Sequence, residues 1–246
     1  MLILCSCEVI PEGDRLIPVE EKTAGSRTHV LLEFTGFRCV NCPTAAETAQ
    51  TLHEFYGKQL TVVALHPASN PFTQGKYDYT CPAADSIYQY MGGTASTPFP
   101  TGNIDLTPTD GQWFFAPAEW PSQVSRAMED TVAPYLSLST ITDTVTREVT
   151  ISALYDLSAE SRLTFWLVED SIPGAQAMPN GSVSLEYYHR HVLRAVSDEQ
   201  TMLIPEECRI AHCSIIGLLI DNNNYHILNA YETKLDNSIR VSSMDD

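Results

Sequence analysis

The stretch that decides the fold runs His29-Val-Leu-Leu-Glu-Phe-Thr-Gly-Phe-Arg-Cys-Val-Asn-Cys-Pro43. Its first six residues, HVLLEF, are β-formers and mostly apolar, as a strand buried on both faces must be. Beyond Gly36 and two cysteines, Ala45, Ala46, Ala49, Leu52 and Phe55 recur at three- and four-residue spacing. That period predicts a helix from Pro43 to Tyr56, stopped by Gly57. LTVVAL at Leu60–Leu65 predicts a second strand directly after it. Strand, helix and strand within about 37 residues make a βαβ unit, which requires a parallel pair and a right-handed crossover.

Outward from this unit the pattern weakens. Residues 66–96 are irregular, with Pro67, Pro71, Pro82 and Gly92-Gly93, although Ala83–Met91 has helical spacing. Thr97-Pro98-Phe99-Pro100-Thr101-Gly102 leads into a weak strand at Asn103–Leu106, and Pro121–Val132 reads as a helix. After Pro134 the texture changes. Leu136–Ile141, Val145–Tyr155, Arg162–Glu169, Val183–Tyr188, Ser214–Ile220 and His226–Lys234 alternate or run apolar with β-branched residues, and no helix interrupts them. The expected architecture is therefore α/β followed by all-β. Residues 27–135 form an α/β domain, 136–246 an antiparallel β-sandwich, and 1–26 a leader remnant and tether.

The chain has 246 residues and carries 14 Lys and Arg against 31 Asp and Glu, a net charge of −17. With no basic cluster to offset that sign, the chain repels phosphate backbones, which excludes nucleic acid as a partner. No apolar run is long enough for a membrane-spanning helix. The opening Leu4-Cys5-Ser6-Cys7 looks like the lipobox of bacterial lipoproteins, with Leu three residues before the acylated cysteine. In that reading Cys7 is the lipidation site and a polar tether follows it, so lipid alone attaches the body to a membrane.

Seven cysteines are too few to staple a chain of this length, and the odd count leaves at least one unpaired. Cys39 and Cys42 form a C-x-x-C where the first strand gives way to the first helix. Unpaired N–H groups and the positive end of the helix dipole favour a thiolate at Cys39. One turn brings Cys42 beside it, so Cys39 serves as the outer nucleophile and Cys42 as the resolving thiol. Two other readings stand beside this one. The pair is a permanent structural disulfide, or it joins a zinc site completed by Cys208, Cys213 or His212.

Glu33-Phe-Thr-Gly-Phe-Arg-Cys-Val-Asn-Cys-Pro43 resembles the active-site segment of thioredoxin-like proteins, and Phe99-Pro100-Thr101 resembles their cis-proline segment. The resemblance implies that Pro100 packs against the disulfide. It also implies that Glu33, six residues before Cys39, is a buried proton acceptor for Cys42. Arg38 replaces the usual tryptophan and Val40-Asn41 the usual Gly-Pro. A cation at Arg38 would lower the Cys39 thiol further. Together with Val168-Glu-Asp170, Gln176 and His189-Arg-His-Val-Leu-Arg194, the segment is similar to the outer-membrane-protein-28-related family. That likeness implies a lipoprotein of the outer membrane or cell surface, with a thioredoxin-like domain followed by a β-rich one.

His189 and His191, two apart, would share one face of a strand with Arg194 in reach, where they make a solvated face or a structural network with Glu169 more readily than they bind a metal or an anionic ligand. Cys208 and Cys213 would form a local disulfide if a turn joins them, or Cys213 is a buried thiol; Cys81 has no assigned role. No cofactor or metal is expected. The functional expectation is thiol–disulfide exchange with envelope or secreted proteins through Cys39 and Cys42. The alternative is a non-catalytic surface-binding or adhesion lipoprotein whose disulfide is structural. Exposure of the Cys39 sulfur favours the first; a cap made by residues 66–96 or by the second half favours the second.

Overall fold

A computed structural model describes residues 26–156, 158 and 160–235. Cys7 and nearly all of the expected tether lie outside the described residues. Two strands, β1 (His29–Phe34) and β2 (Leu60–Leu65), pair in parallel and are buried along their whole length. The helix between them, α1 (Cys42–Tyr56), begins with Cys42 and Pro43, where a missing N–H and a fixed φ cost nothing. It buries Ala45, Ala49 and Leu52 on one stripe and ends at Gly57, whose φ of 55° is a left-handed value open to glycine. The segment after β2 contains α2 (Pro82–Tyr90). A cis Phe99–Pro100 bond then precedes β3 (Thr101–Ile104), which runs antiparallel to β1, and α3 (Trp120–Ala127) follows.

Among the described residues the second half supplies nine strands: β4 (Leu136–Asp143), β5 (Glu148–Tyr155), β6 (Ser161–Glu169), β7 (Ile172–Ala177), β8 (Val183–His189), β9 (Val192–Ser197), β10 (Thr201–Leu203), β11 (Cys213–Asp221) and β12 (Ile227–Lys234). They do not make the separate antiparallel sandwich that the texture suggested. Four of them extend the sheet of the first half, giving a seven-stranded mixed sheet in the order β12-β11-β6-β9-β2-β1-β3. The join is β9 against β2, with Ala64 N donating to His191 O at 2.8 Å and Val192 opposite Ala64. A boundary at residue 135 thus marks a change of sequence pattern but does not divide the sheet. A sandwich-like layer exists locally, where the three-stranded sheet β10-β5-β4 lays Leu136, Leu138, Val149 and Ile151 on Phe165, Leu167, Ile215 and Leu219.

Side chains alternate across the long sheet and divide the core by face. Leu31 and Val62 meet α1 and α3 through Ala45, Ala49, Leu52, Trp120 and Val124. On the other face Leu32, Phe34, Val63 and Leu65 share one cluster with Tyr88 of α2 and with Trp166, Leu193, Ile216 and Leu218 of the second half. Burial common to both halves locks the sheet as one body. The strands β7 and β8 leave the sheet as a two-stranded hairpin.

Candidate functional site

The site lies where β1 and β2 end. Leu65 O accepts from Thr35 N at 3.0 Å, so the chain leaves β1 still tied to β2. The turn that follows is tight, with Cys39 N donating to Gly36 O at 3.0 Å. A Cβ on Gly36 would stand 2.5 Å from the Phe72 carbonyl oxygen, so only glycine lets residues 66–96 approach this turn. Cys39 and Cys42 are joined by a disulfide with their Cα atoms 5.4 Å apart, inside the ordinary range. The helix starts at Cys42 rather than at Cys39, which sits one turn before it.

The expected open sulfur is not found. Cys39 and Cys42 are each 2% exposed. Two covers account for this. One is the segment after β2, where Phe72 O accepts from Arg38 N at 3.0 Å. The other is the β7–β8 hairpin, which no reading of local pattern foresaw at β7. Gln176, itself buried, donates its amide to Cys39 O at 2.8 Å and to Ala177 O at 3.0 Å, with Gly36 O farther off at 3.4 Å. Ala177 N donates to Phe37 O at 2.8 Å. The hairpin thus closes on the backbone of the C-x-x-C turn, and Gln176 is the functional residue for which a motif match alone offered no role.

Glu33 is buried near the end of β1, and its Oε1 has no hydrogen-bond partner among the described residues. Burial pushes its carboxyl from 4.5 up to about 8, so it is neutral at pH 7. Burial, and then the nearby Glu33 charge, push the Tyr187 phenol on β8 up to about 12. Arg38 is exposed, and its guanidinium donates to Gln74 O at 3.4 Å. Pro100 is in the cis peptide, and Phe99 before it packs in the same apolar cluster as Cys39 and Cys42.

His189 and His191 do not share a strand face. His189 ends β8, buried, with Nε2 3.2 Å from Ala175 O and its ring 4.3 Å from that of Tyr79. Burial pushes it from 6.5 down to about 4. His191 follows in a turn with φ 52°, which rotates it toward Asp170 and His53. Asp170 Oδ1 accepts from His191 N at 3.0 Å and ties the two legs of the hairpin together. The Glu169 network is formed by Arg194 at 3.6 Å and Arg209 at 3.3 Å rather than by either histidine. Cys81, Cys208 and Cys213 are buried and unbonded. Among the described residues, no group of three or more His, Cys, Asp or Glu is placed to hold a metal ion. A cavity of about 620 Å³ lies elsewhere, lined by Arg27, His53, Asp170, His191 and Glu232 among others.

No protein-family model and no curated protein matches the chain. Its fold is similar to that of HBP35 of Porphyromonas gingivalis, at 16% identity and TM-score 0.65, over 91% of this chain and 80% of that one. It is also similar to protein AGR_C_4864 from Agrobacterium tumefaciens, at 12% identity and TM-score 0.53, over 88% and 97%. A domain of the outer membrane lipoprotein Omp28 from P. gingivalis matches 41% of the chain at 14% identity and TM-score 0.24, covering 88% of that domain, a score that does not establish a common fold. The first two likenesses run through both halves of this chain.

Proposed function

We propose that this chain is a lipid-anchored protein of the cell envelope, with a thioredoxin-like first half. Its Cys39–Cys42 disulfide exchanges with thiols of envelope or secreted proteins once the β7–β8 hairpin lifts. The observation that carries this reading is Glu33. A disulfide that only braced the fold would have no use for a buried carboxyl whose Oε1 has no partner among the described residues, a group costly to keep there. A neutral acid of pKa about 8 six residues before a C-x-x-C has a use, because it can hold the proton that exchange moves. The parallel β1–β2 pair, antiparallel β3 and cis Phe99–Pro100 bond support the thioredoxin-like reading. The anchor rests on the Leu4–Cys7 segment, and among the described residues no helix is long and apolar enough to cross a membrane.

In the forward step a partner thiolate attacks Cys39 Sγ, the sulfur–sulfur bond breaks, and Cys42 leaves as a thiolate that takes the Glu33 proton. A second partner thiol then gives up its proton to solvent and attacks the partner sulfur of the mixed disulfide, releasing Cys39 as a thiolate. The partner pair ends oxidised and the C-x-x-C reduced.

The 2% exposure of both cysteines favours a second reading, a non-catalytic binding module whose disulfide never opens. Thiol trapping separates the two. Under exchange, the Cys39 thiolate of the Cys42→Ser chain attacks the disulfide of an oxidised partner, expels one partner thiolate and stays trapped as a mixed disulfide, and dithiothreitol reduces the native chain without denaturant. If reduction waits for global unfolding, exchange is refuted and the binding module stands.

A further inference from the structure

Two thiols in the turn between β10 and β11 play no part in the site above. Cys208 and Cys213, 3% and 1% exposed, flank a single 3-10 turn at Ile210–His212, and their side chains hydrogen-bond each other. Arg194, its side chain only 7% exposed, donates Nε to Cys208 Sγ at 3.2 Å. The single S–H of Cys213 has two acceptors in reach, Cys208 Sγ and Arg209 O at 3.4 Å. The turn is braced from outside by Arg147 Nη2, which donates to Pro205 O at 2.6 Å and Cys208 O at 2.7 Å.

This geometry is unequal between the two sulfurs. Inert buried thiols lie among apolar groups and need no cation. Here one sulfur accepts from an enclosed guanidinium while the other is left as a donor. The hydrogen bond from Cys213, followed by that from Arg194, holds the Cys208 thiol below its ordinary value, against burial. The same bond to Cys208, with burial, pushes Cys213 up. Four residues separate the pair, so closing them asks only for a local adjustment of one turn.

We propose that Cys208 and Cys213 are a second thiol–disulfide couple, in which Cys208 attacks and Arg194 is a positioning residue that holds its thiolate. The oxidant is a small-molecule disulfide. The Cys208 thiolate attacks one of its sulfurs, forming a mixed disulfide and expelling one small thiolate. Cys213 gives up its proton and attacks Cys208 Sγ, which closes the internal disulfide and expels the second small thiolate. Two protein thiols lose two electrons and two protons, and two small thiols carry them away. Nothing in this step depends on Cys39–Cys42.

The test uses the full chain and glutathione disulfide. Trypsin cuts after Arg209, between the two cysteines, so a closed disulfide leaves two peptides joined that otherwise separate by mass spectrometry. Joined peptides are expected after overnight equilibration. In the Cys213→Ser chain glutathione is expected on Cys208, and in the Cys208→Ser chain Cys213 is expected to stay a free thiol. Separate peptides, or glutathione on Cys213 in the Cys208→Ser chain, overturn the proposal.

The role of Arg194 is read from the pH profile of Cys208 modification in the Cys213→Ser background. Arg194→Gln is expected to move the half-maximal pH upward and slow the reaction at pH 7 by about threefold or more, with Arg194→Lys recovering part. An unmoved profile overturns that role. If Arg194→Gln does not fold, the profile of the Cys213→Ser chain decides alone. A half-maximal pH below about 8.5, the value of a free cysteine, supports the held thiolate, and one at or above it overturns it.

Discussion

Gln176→Ala isolates the hairpin as the gate over the disulfide. One good hydrogen bond from the Gln176 amide crosses from the hairpin to the C-x-x-C turn, to Cys39 O at 2.8 Å, since Ala177 O at 3.0 Å belongs to the same strand. It contributes about 1 kcal/mol net, because the open state trades it for water. Removing it lowers the cost of lifting the hairpin by about that much and raises the open population about fivefold. If dithiothreitol reaches Cys39 only through that opening, its rate of reduction rises by the same factor until opening itself limits. The assay quenches samples with an alkylating agent and counts thiols in the Cys39–Cys42 peptides over time, at several urea concentrations below the unfolding transition. A local gate predicts a rate that depends weakly on urea in both chains, since lifting one hairpin exposes little surface. A rate within twofold of wild type refutes the gate. A rate that tracks global unfolding shows that no partial opening reaches the sulfurs.

Three further outcomes bear on the same region. Glu33, at about 8 in the fold and 4.5 when free, makes the unfolded chain the poorer proton binder between those values, so stability falls as pH rises through them. The loss approaches about 5 kcal/mol above pH 8, and Glu33→Gln should flatten that limb in urea unfolding at pH 5, 7 and 9. His189 acts on the acid side. It is held at about 4 against 6.5 when free, so stability falls by about 3 kcal/mol as pH drops between them, and His189→Gln should remove that limb. Gly36→Ala drives a Cβ to 2.5 Å from Phe72 O, a backbone atom that cannot swing aside, and should cost about 1–3 kcal/mol while speeding reduction of the disulfide. A urea midpoint equal to wild type would refute the close packing of that turn.

The central βαβ unit was legible because its pattern is local. HVLLEF and LTVVAL are continuous apolar runs, and the strands take the same residues, His29–Phe34 and Leu60–Leu65. The helix differs only in starting at Cys42, since proline at the second position is as acceptable as at the first. The strand β7 escaped because Pro173 and Gly174 break any strand pattern, and both are tolerated only because the hairpin lies off the main sheet. The His189–Arg194 segment was misjudged as one strand because nothing local announces that His191 adopts a positive φ.

What local pattern could not carry is the closure of the site by residues 137 positions away. A strand buried on both faces, as LTVVAL is, demands cover on either side but does not name it. The partner turned out to be β9, and its pairing with β2 is what delivers the hairpin to the C-x-x-C turn. Had the second half formed its own sandwich, Gln176 would have no route to Cys39 O, and the C-x-x-C turn would keep the cover made by residues 66–96 but lose the one made by the hairpin. Access to the sulfurs therefore depends in part on the join between the halves. Both legs of the hairpin leave the sheet through residues of positive φ, Ser171 and His191, and both are tied to Asp170 or Arg209. The hairpin is thus held by hydrogen bonds that water can replace together with the burial of Ala175 and of the His189 ring against Tyr79, so a gate at this point in the fold has to break both.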